Sequence, residues 1–282
     1  MGVNDLTHNG RFGVLAIDHR DSLRSVMSPD NPDAVTSEDI VALKRHLIVG
    51  LASYATGVML EPEYSIPQLV DETLSAGVGF TAALEAQGYM ADPEAAPVGL
   101  LEGWSVQAAA DCGAAAAKLL VLYRPDRPHA AAQTQATAQI LAECRRVGIA
   151  CLVEPLFYGL DDPSTRPQIV LDTVERFADL GPDVLKLPFP VDPAYDPERA
   201  RWKAACAEIT ARCDIPWTLL SGGVTFESYQ FQLDVAMDSG CAGFTVGRAL
   251  WGKAALAPPP KRPSVISNLI APRIQTLRNM IT

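Results

Sequence analysis

Lysine is scarce in this sequence: of 23 basic residues only six are lysine, at positions 44, 118, 186, 203, 253 and 261. Histidine is scarcer, with four residues (His8, His19, His46 and His129). Of these only His19 lies near the end of an apolar run, so a zinc centre built from several imidazoles has little to draw on. The six cysteines include no Cys-x-x-Cys pair, and most sit beside alanine or aliphatic residues. They read as buried free thiols rather than disulfides. No apolar run approaches the roughly 20 residues of a membrane span. The opening MGVNDLTHNG lacks the apolar core of a signal peptide, and Leu6 breaks the myristoylation pattern. The expected location is the cytoplasm. Positive charge is also short: the net charge is −10, which argues against a nucleic-acid partner. It does not exclude an anionic ligand, because a local pocket can be positive on an acidic protein.

What is present is an alternation of short apolar runs and longer amphipathic ones. The apolar runs read as strands at 13–18, 56–64, 78–86, 115–123, 150–158, 183–190, 216–223 and 243–250. Helical spacing falls between them, at 36–54, 129–147, 166–180, 196–213 and 225–239. Thr36 and Asp39 form a capping-box pair, and Gly148, Gly181 and Gly240 stand where C-terminal glycines belong. Eight strand–helix units with right-handed crossovers predict a closed (β/α)8 TIM barrel, in the α/β class. An open doubly wound sheet is the alternative, but no GxGxxG turn follows the first strand. Residues 1–282 are expected to form one barrel domain. The segment 254–282 is its proline-rich tail and terminal helix.

Lys118 and Lys186 sit inside apolar strand-like runs, where a lysine is costly unless paired or used. Charged residues recur in or after the other strands: Asp18, His19 and Arg20; Glu61 and Glu63; Glu85; Glu154; and Arg248. Interior salt bridges that hold a barrel shut would explain any one of them. Their recurrence on nearly every strand favours an active site at the C-terminal barrel face. A lysine in a dry site beside a second cation loses its proton more readily. It then condenses with a ketone or aldehyde to a Schiff base. Lys118 and Lys186 could be that pair, with Glu154 shuttling protons. A carboxylate-bound magnesium site from Asp18, Glu61 and Glu85 is the competing option. LSGGV (220–224) and TVGRALWG (245–252) supply an anion handle. Gly222 and Gly223 expose backbone N–H groups before a helix starting near Thr225, and a second glycine turn leads into Arg248, a forked donor for phosphate or sulfonate.

The runs AIDHRDSLR, EPEY, KLLVLYRPD, VEPL, DVLKLPFP and WTLLSGGV…GFTVGRALW resemble the class I, Schiff-base aldolases of the tagatose-1,6-bisphosphate aldolase family. Within it they look closest to the sulfofructose-phosphate aldolase branch. The match runs from about residue 12 to 252. The resemblance implies cleavage of a ketose 1-phosphate, such as tagatose or fructose 1,6-bisphosphate or 6-sulfo-fructose 1-phosphate. The products would be dihydroxyacetone phosphate and a three-carbon aldehyde. It also implies the roles. Lys186 forms the Schiff base, Glu154 is the acid–base group, and Lys118 sets the electrostatics. Ser221, Gly222, Gly247 and Arg248 hold the phosphate. Asp18, His19 and Arg20 lie near the reacting centre and the substrate's far end. The usual glutamine after the aspartate is His19 here, and the loop 157–167 departs from the family pattern. No metal or other cofactor is implied. The implied partners are a small sugar phosphate and further copies of the chain as a homo-oligomer, with no nucleic acid and no membrane. A deoxy-sugar-phosphate aldolase and a non-catalytic sugar-phosphate-binding regulator are the alternatives.

Overall fold

The alternation of apolar and amphipathic runs folds, in the computed structural model, into a closed parallel barrel described over residues 2–87 and 92–282. A two-residue strand, β1 (Thr7–His8), pairs antiparallel with β2 (Arg11–Ala16) below the barrel. The barrel strands are β2, β3 (Gly57–Leu60), β4 (Gly79–Ala83), β5 (Ala116–Leu122), β6 (Ala150–Leu156), β7 (Val184–Leu187), β8 (Trp217–Leu220) and β9 (Gly243–Val246). Each is parallel to the next, and β9 pairs with β2 to close the ring. The expected barrel is therefore present. Several strands are shorter than the apolar runs suggest, however. Glu61 and Glu63 lie beyond β3, and Glu85 lies beyond β4 in a single antiparallel bridge to Leu100. Carboxylates at a strand end face the loops, where their lone pairs can be satisfied.

Alternation along the strands sorts the core into two layers. One parity, including Leu119, Val153, Leu185, Leu219 and Phe244, packs outward against the helices. The other parity fills the barrel floor with Phe12, Val14, Met59, Ala116, Leu152 and Val184, plugged from below by Leu6. Two residues further along the same faces stand Lys118, Glu154 and Lys186. The pleat thus lifts these charges one layer above an apolar floor, at the C-terminal mouth.

Helix ends follow the expected chemistry. Thr36 accepts the Asp39 N–H, and Asp39 returns a bond to the Thr36 N–H, ahead of the helix Ser37–Leu51. The C-terminal segment is helical from Arg262 to Asn279, with a π turn over Ile266–Ile270. It packs against the helix Ser37–Leu51. All six cysteines are free thiols, five of them buried. Among the described residues no helix is long and apolar enough to cross a membrane.

Barrel closure depends on Gly243. Its φ is +141°, and a Cβ there would stand 2.0 Å from the Phe12 carbonyl oxygen. Gly243→Ala is expected to destabilise the fold by more than about 2 kcal/mol, combining left-region strain with a backbone clash. A thermal melt checks this; a midpoint equal to the parent's would refute it.

Candidate active site

Three strands and two loops bring one cluster of charges together. Lys118 Nζ lies 2.8 Å from Asp18 Oδ2, 2.8 Å from Glu85 Oε1 and 3.1 Å from Glu154 Oε2. Lys186 Nζ donates to the same Glu154 oxygen at 2.8 Å and rests 3.8 Å from Met59 Sδ. All five charged side chains of this cluster are buried.

The two lysines are not equivalent. Burial opposes the Lys118 ammonium, but Asp18, Glu85 and Glu154 outweigh it and raise its pKa well above the ordinary lysine value. Lys118 is a fixed cation, not a free amine. Lys186 has one carboxylate partner, and that partner is within reach of its proton. Lys186 is therefore the less tightly ion-paired of the two lysines. Asp18 shows the reciprocal effect. Burial would raise its carboxyl, yet Lys118, then Lys186 and His19, hold it below the usual carboxylate range.

The magnesium arrangement does not form from its three candidates. Glu61 is turned to Lys44, with Arg20 behind it at 3.7 Å, while Asp18 and Glu85 share Lys118. Among the described residues no group of three or more histidine, cysteine or acidic side chains is arranged to hold a metal ion. Glu61 is a loop fastener: it accepts the N–H groups of Glu63 and Tyr64 and a hydrogen bond from Ser65. Lys44, which its helical position had not marked out, is a third buried lysine.

Two connected clefts open at this mouth. The larger, about 300 Å³, is lined by Asp18, Ser22, Glu85, Gln87, Lys118 and Leu120 on one side. The smaller, about 90 Å³, is lined by Ser221, Gly222, Gly223, Thr245 and Gly247 on the other. His19, Glu154, Leu156, Lys186 and Arg248 border both. Gly222 and Gly223 take left-handed backbone at φ +55° and +78°, which turns the chain after β8. The Arg248 guanidinium lies over this turn, 3.7 Å from where a Gly223 Cβ would be. Arg248 also opens the helix Arg248–Leu256.

A family model described as DeoC/LacD family aldolase matches residues 12–253. The chain belongs to that family. The aldolase, an aldehyde-lyase by family, is 28% identical over 271 residues to the tagatose 1,6-diphosphate aldolase of Lactococcus lactis subsp. lactis, covering 86% of this chain and 81% of that one. It is also 28% identical over 277 residues to the enzyme of that name from Listeria monocytogenes, covering 89% and 80%. Among solved structures it resembles a Schiff-base-forming fructose-1,6-bisphosphate aldolase, with a TM-score of 0.68 at 19% identity, covering 99% of this chain and 98% of that one. An archaeal fructose-1,6-bisphosphate aldolase, solved with its catalytic lysine bound to a carbinolamine intermediate, also scores 0.68, at 18% identity and 99% and 97% coverage.

Most residues singled out in the aldolase sequence meet at the clefts; Arg20 does not line them. Its buried guanidinium lies 3.1 Å from Glu63 Oε2 and donates to the Glu85 carbonyl at 2.9 Å. It braces the loops after β2, β3 and β4. Glu85, in the sequence a strand charge and a candidate magnesium ligand, instead lines the cleft and fixes Lys118. Its Oε2 also accepts the Leu120 N–H at 3.1 Å. The parity of Thr81, Ala83 and Glu85 was the available signal.

His19 packs edge-on to Trp251, with ring centroids 5.2 Å apart, and its Nδ1 has no hydrogen-bond partner. Burial, reinforced by Arg248 and Lys186, pushes its pKa down to about 3 despite the opposing pull of Asp18. Because the folded pKa lies below the unfolded value near 6.5, folding excludes a proton. Stability from this group is full above about pH 6.5 and is lost as pH falls toward 3, by about 1.4 kcal/mol per pH unit at most. An NMR titration of His19 is expected to show a neutral ring throughout pH 5–8. A midpoint near 6.5 would contradict this.

Proposed function

We propose that this aldolase cleaves a ketose 1-phosphate to dihydroxyacetone phosphate and an aldehyde through a Schiff base on Lys186. The observation that carries the reading is one buried oxygen, Glu154 Oε2, placed between Lys186 at 2.8 Å and the fixed Lys118 cation at 3.1 Å. Glu154 can take the Lys186 proton, releasing the amine to attack the C2 ketone. It can return a proton as the carbinolamine loses water. The C3–C4 electron pair then moves toward the iminium, a base removes the C4 hydroxyl proton, and the aldehyde departs. Asp18, kept ionised by Lys118, is placed for that proton. Protonation at C3 and hydrolysis by water release dihydroxyacetone phosphate and restore Lys186.

The smaller cleft supports a phosphate on C1. A helix N-terminus, the glycine turn and the Arg248 fork converge there, as phosphate sites do at the end of this fold's last strands.

Incubation with dihydroxyacetone phosphate followed by borohydride and peptide mass mapping tests the reading. A reduced adduct on Lys186 is expected. An adduct on Lys118 would reverse the two lysines. No adduct, with turnover abolished by EDTA, would return the mechanism to a metal.

A further inference from the structure

We propose that Arg20 and Lys44 are positioning residues for Lys118: a buried relay of alternating charge, Lys44–Glu61–Arg20, runs from the helix Ser37–Leu51 to the Glu85 carbonyl and holds the two loop carboxylates around Lys118 in place. This rests on the Schiff-base reading above and concerns what keeps its charges aligned.

Neither residue lines the clefts, yet both are buried. A buried cation away from any ligand is costly unless its partners need it. Of the three carboxylates around Lys118, only Glu154 stands on a barrel strand. Asp18 and Glu85 stand on the loops after β2 and β4. Arg20 joins those two loops. It follows Asp18 by two residues in the same irregular stretch, and its Nη2 donates to the Glu85 carbonyl at 2.9 Å. A shift of Arg20 therefore moves both carboxylates against Lys118. It would disturb the two 2.8 Å ion pairs that fix this cation beside Glu154.

Arg20 is itself shared between two acids. Its Nε lies 3.1 Å from Glu63 Oε2 and 3.7 Å from Glu61 Oε2. Glu61 is fully buried, and a bare carboxylate there would draw the guanidinium across, away from Glu85. Lys44 prevents this. Its Nζ donates to Glu61 Oε1 and, at 3.1 Å, to Ser65 Oγ, so Glu61 is neutralised from the helix side. Arg20 is then left to Glu63 and the Glu85 carbonyl.

The test is steady-state aldol addition of dihydroxyacetone phosphate to glyceraldehyde 3-phosphate by the parent, Arg20→Met, Lys44→Met and Lys44→Met/Glu61→Gln, each checked for folding by circular dichroism. Arg20→Met leaves Glu61 paired with Lys44, so it strips no buried carboxylate and decides the matter even if Lys44→Met does not fold. Its kcat is expected to fall by about tenfold or more while KM for both substrates stays within about threefold, as misplaced groups rather than a lost substrate contact require. Lys44→Met is expected to lose about tenfold in kcat. The double variant should recover to within about threefold of the parent, because an uncharged side chain at position 61 no longer competes for Arg20. A lost packing contact at Lys44 would not be rescued in this way. A parent-like kcat in Arg20→Met, a loss confined to KM, or a double variant as slow as Lys44→Met would overturn the inference. Borohydride trapping on the parent keeps the two readings apart. No adduct on Lys186 refutes the Schiff-base reading itself, whereas an adduct with kcat unmoved by Arg20→Met refutes only the relay.

Discussion

Replacing Lys186 with alanine is expected to lower turnover by at least about 10⁴-fold and to leave the barrel folded. The activity loss follows from chemistry: no other side chain at the junction of the two clefts offers an amine that is not bound into several carboxylates. The retained fold follows from geometry. Lys186 sits at the top of β7, touching the floor only at Met59 Sδ, and Glu154 has Lys118 at 3.1 Å as a second partner when Lys186 is gone. No carboxylate is left bare, so the strong penalty for stripping a buried charge does not apply. Circular dichroism melts beside a dihydroxyacetone phosphate assay decide it. A variant with activity within tenfold of the parent would remove Lys186 from the mechanism. A variant that fails to fold would mean that its structural role had been underrated.

Lys118→Met behaves in the opposite way, losing stability as well as activity. One ammonium balances Asp18, Glu85 and Glu154, each within 3.1 Å. Its removal leaves buried carboxylates without their main counter-charge and is expected to cost about 3–5 kcal/mol near pH 7.

The pH dependence carries a sign that a simple packing defect would not. In the parent, the Asp18 pKa is lowered on folding, chiefly because Lys118 overcomes the burial that would raise it. Its stabilisation is present above the unfolded carboxylate value, about 3.9, and fades as pH falls through the folded one. In the variant burial prevails, the Asp18 pKa rises above the unfolded value, and acid relieves the repulsion. The stability gap between parent and variant should therefore narrow as pH drops from 7 toward 4. Lys118 contributes at the other extreme. Its folded pKa is raised, so its stabilisation is complete below about 10.5 and is lost only as pH climbs through the folded value. Urea melts of both proteins at pH 7 and pH 4.5 measure the gap, and a gap that stays constant or widens on acidification would show that the cluster is not held as described.

The architecture was legible in the sequence because it depends on local, periodic chemistry. Short apolar runs between amphipathic ones can bury their backbones only as parallel strands covered by helices, and the caps at Thr36 and Gly148 mark helix ends by themselves. The side chains that line the clefts, Lys186, Glu154 and Arg248 with the paired glycines, stood out in the sequence for a related reason: charges and paired glycines on apolar strands have few inexpensive explanations. What the sequence could not rank was a set of similar charges whose meaning lies in their partners. Glu61 and Glu85 each follow a barrel strand at the same offset of residues from its C-terminal end, give or take one. Only the fold sends Glu61 to Lys44 on a helix and Glu85 to Lys118 in the cleft. Arg20, adjacent to His19 in the chain, turns away from the clefts that His19 borders. Lys118 and Lys186 look alike as lysines in apolar strands. One has three carboxylates around it and the other has one, and that difference separates a fixed cation from a candidate nucleophile. Periodicity is a property of neighbours in sequence. The protonation and role of a buried charge depend on neighbours in space, brought together by β2, β4, β5, β6 and β7 from residues more than a hundred positions apart.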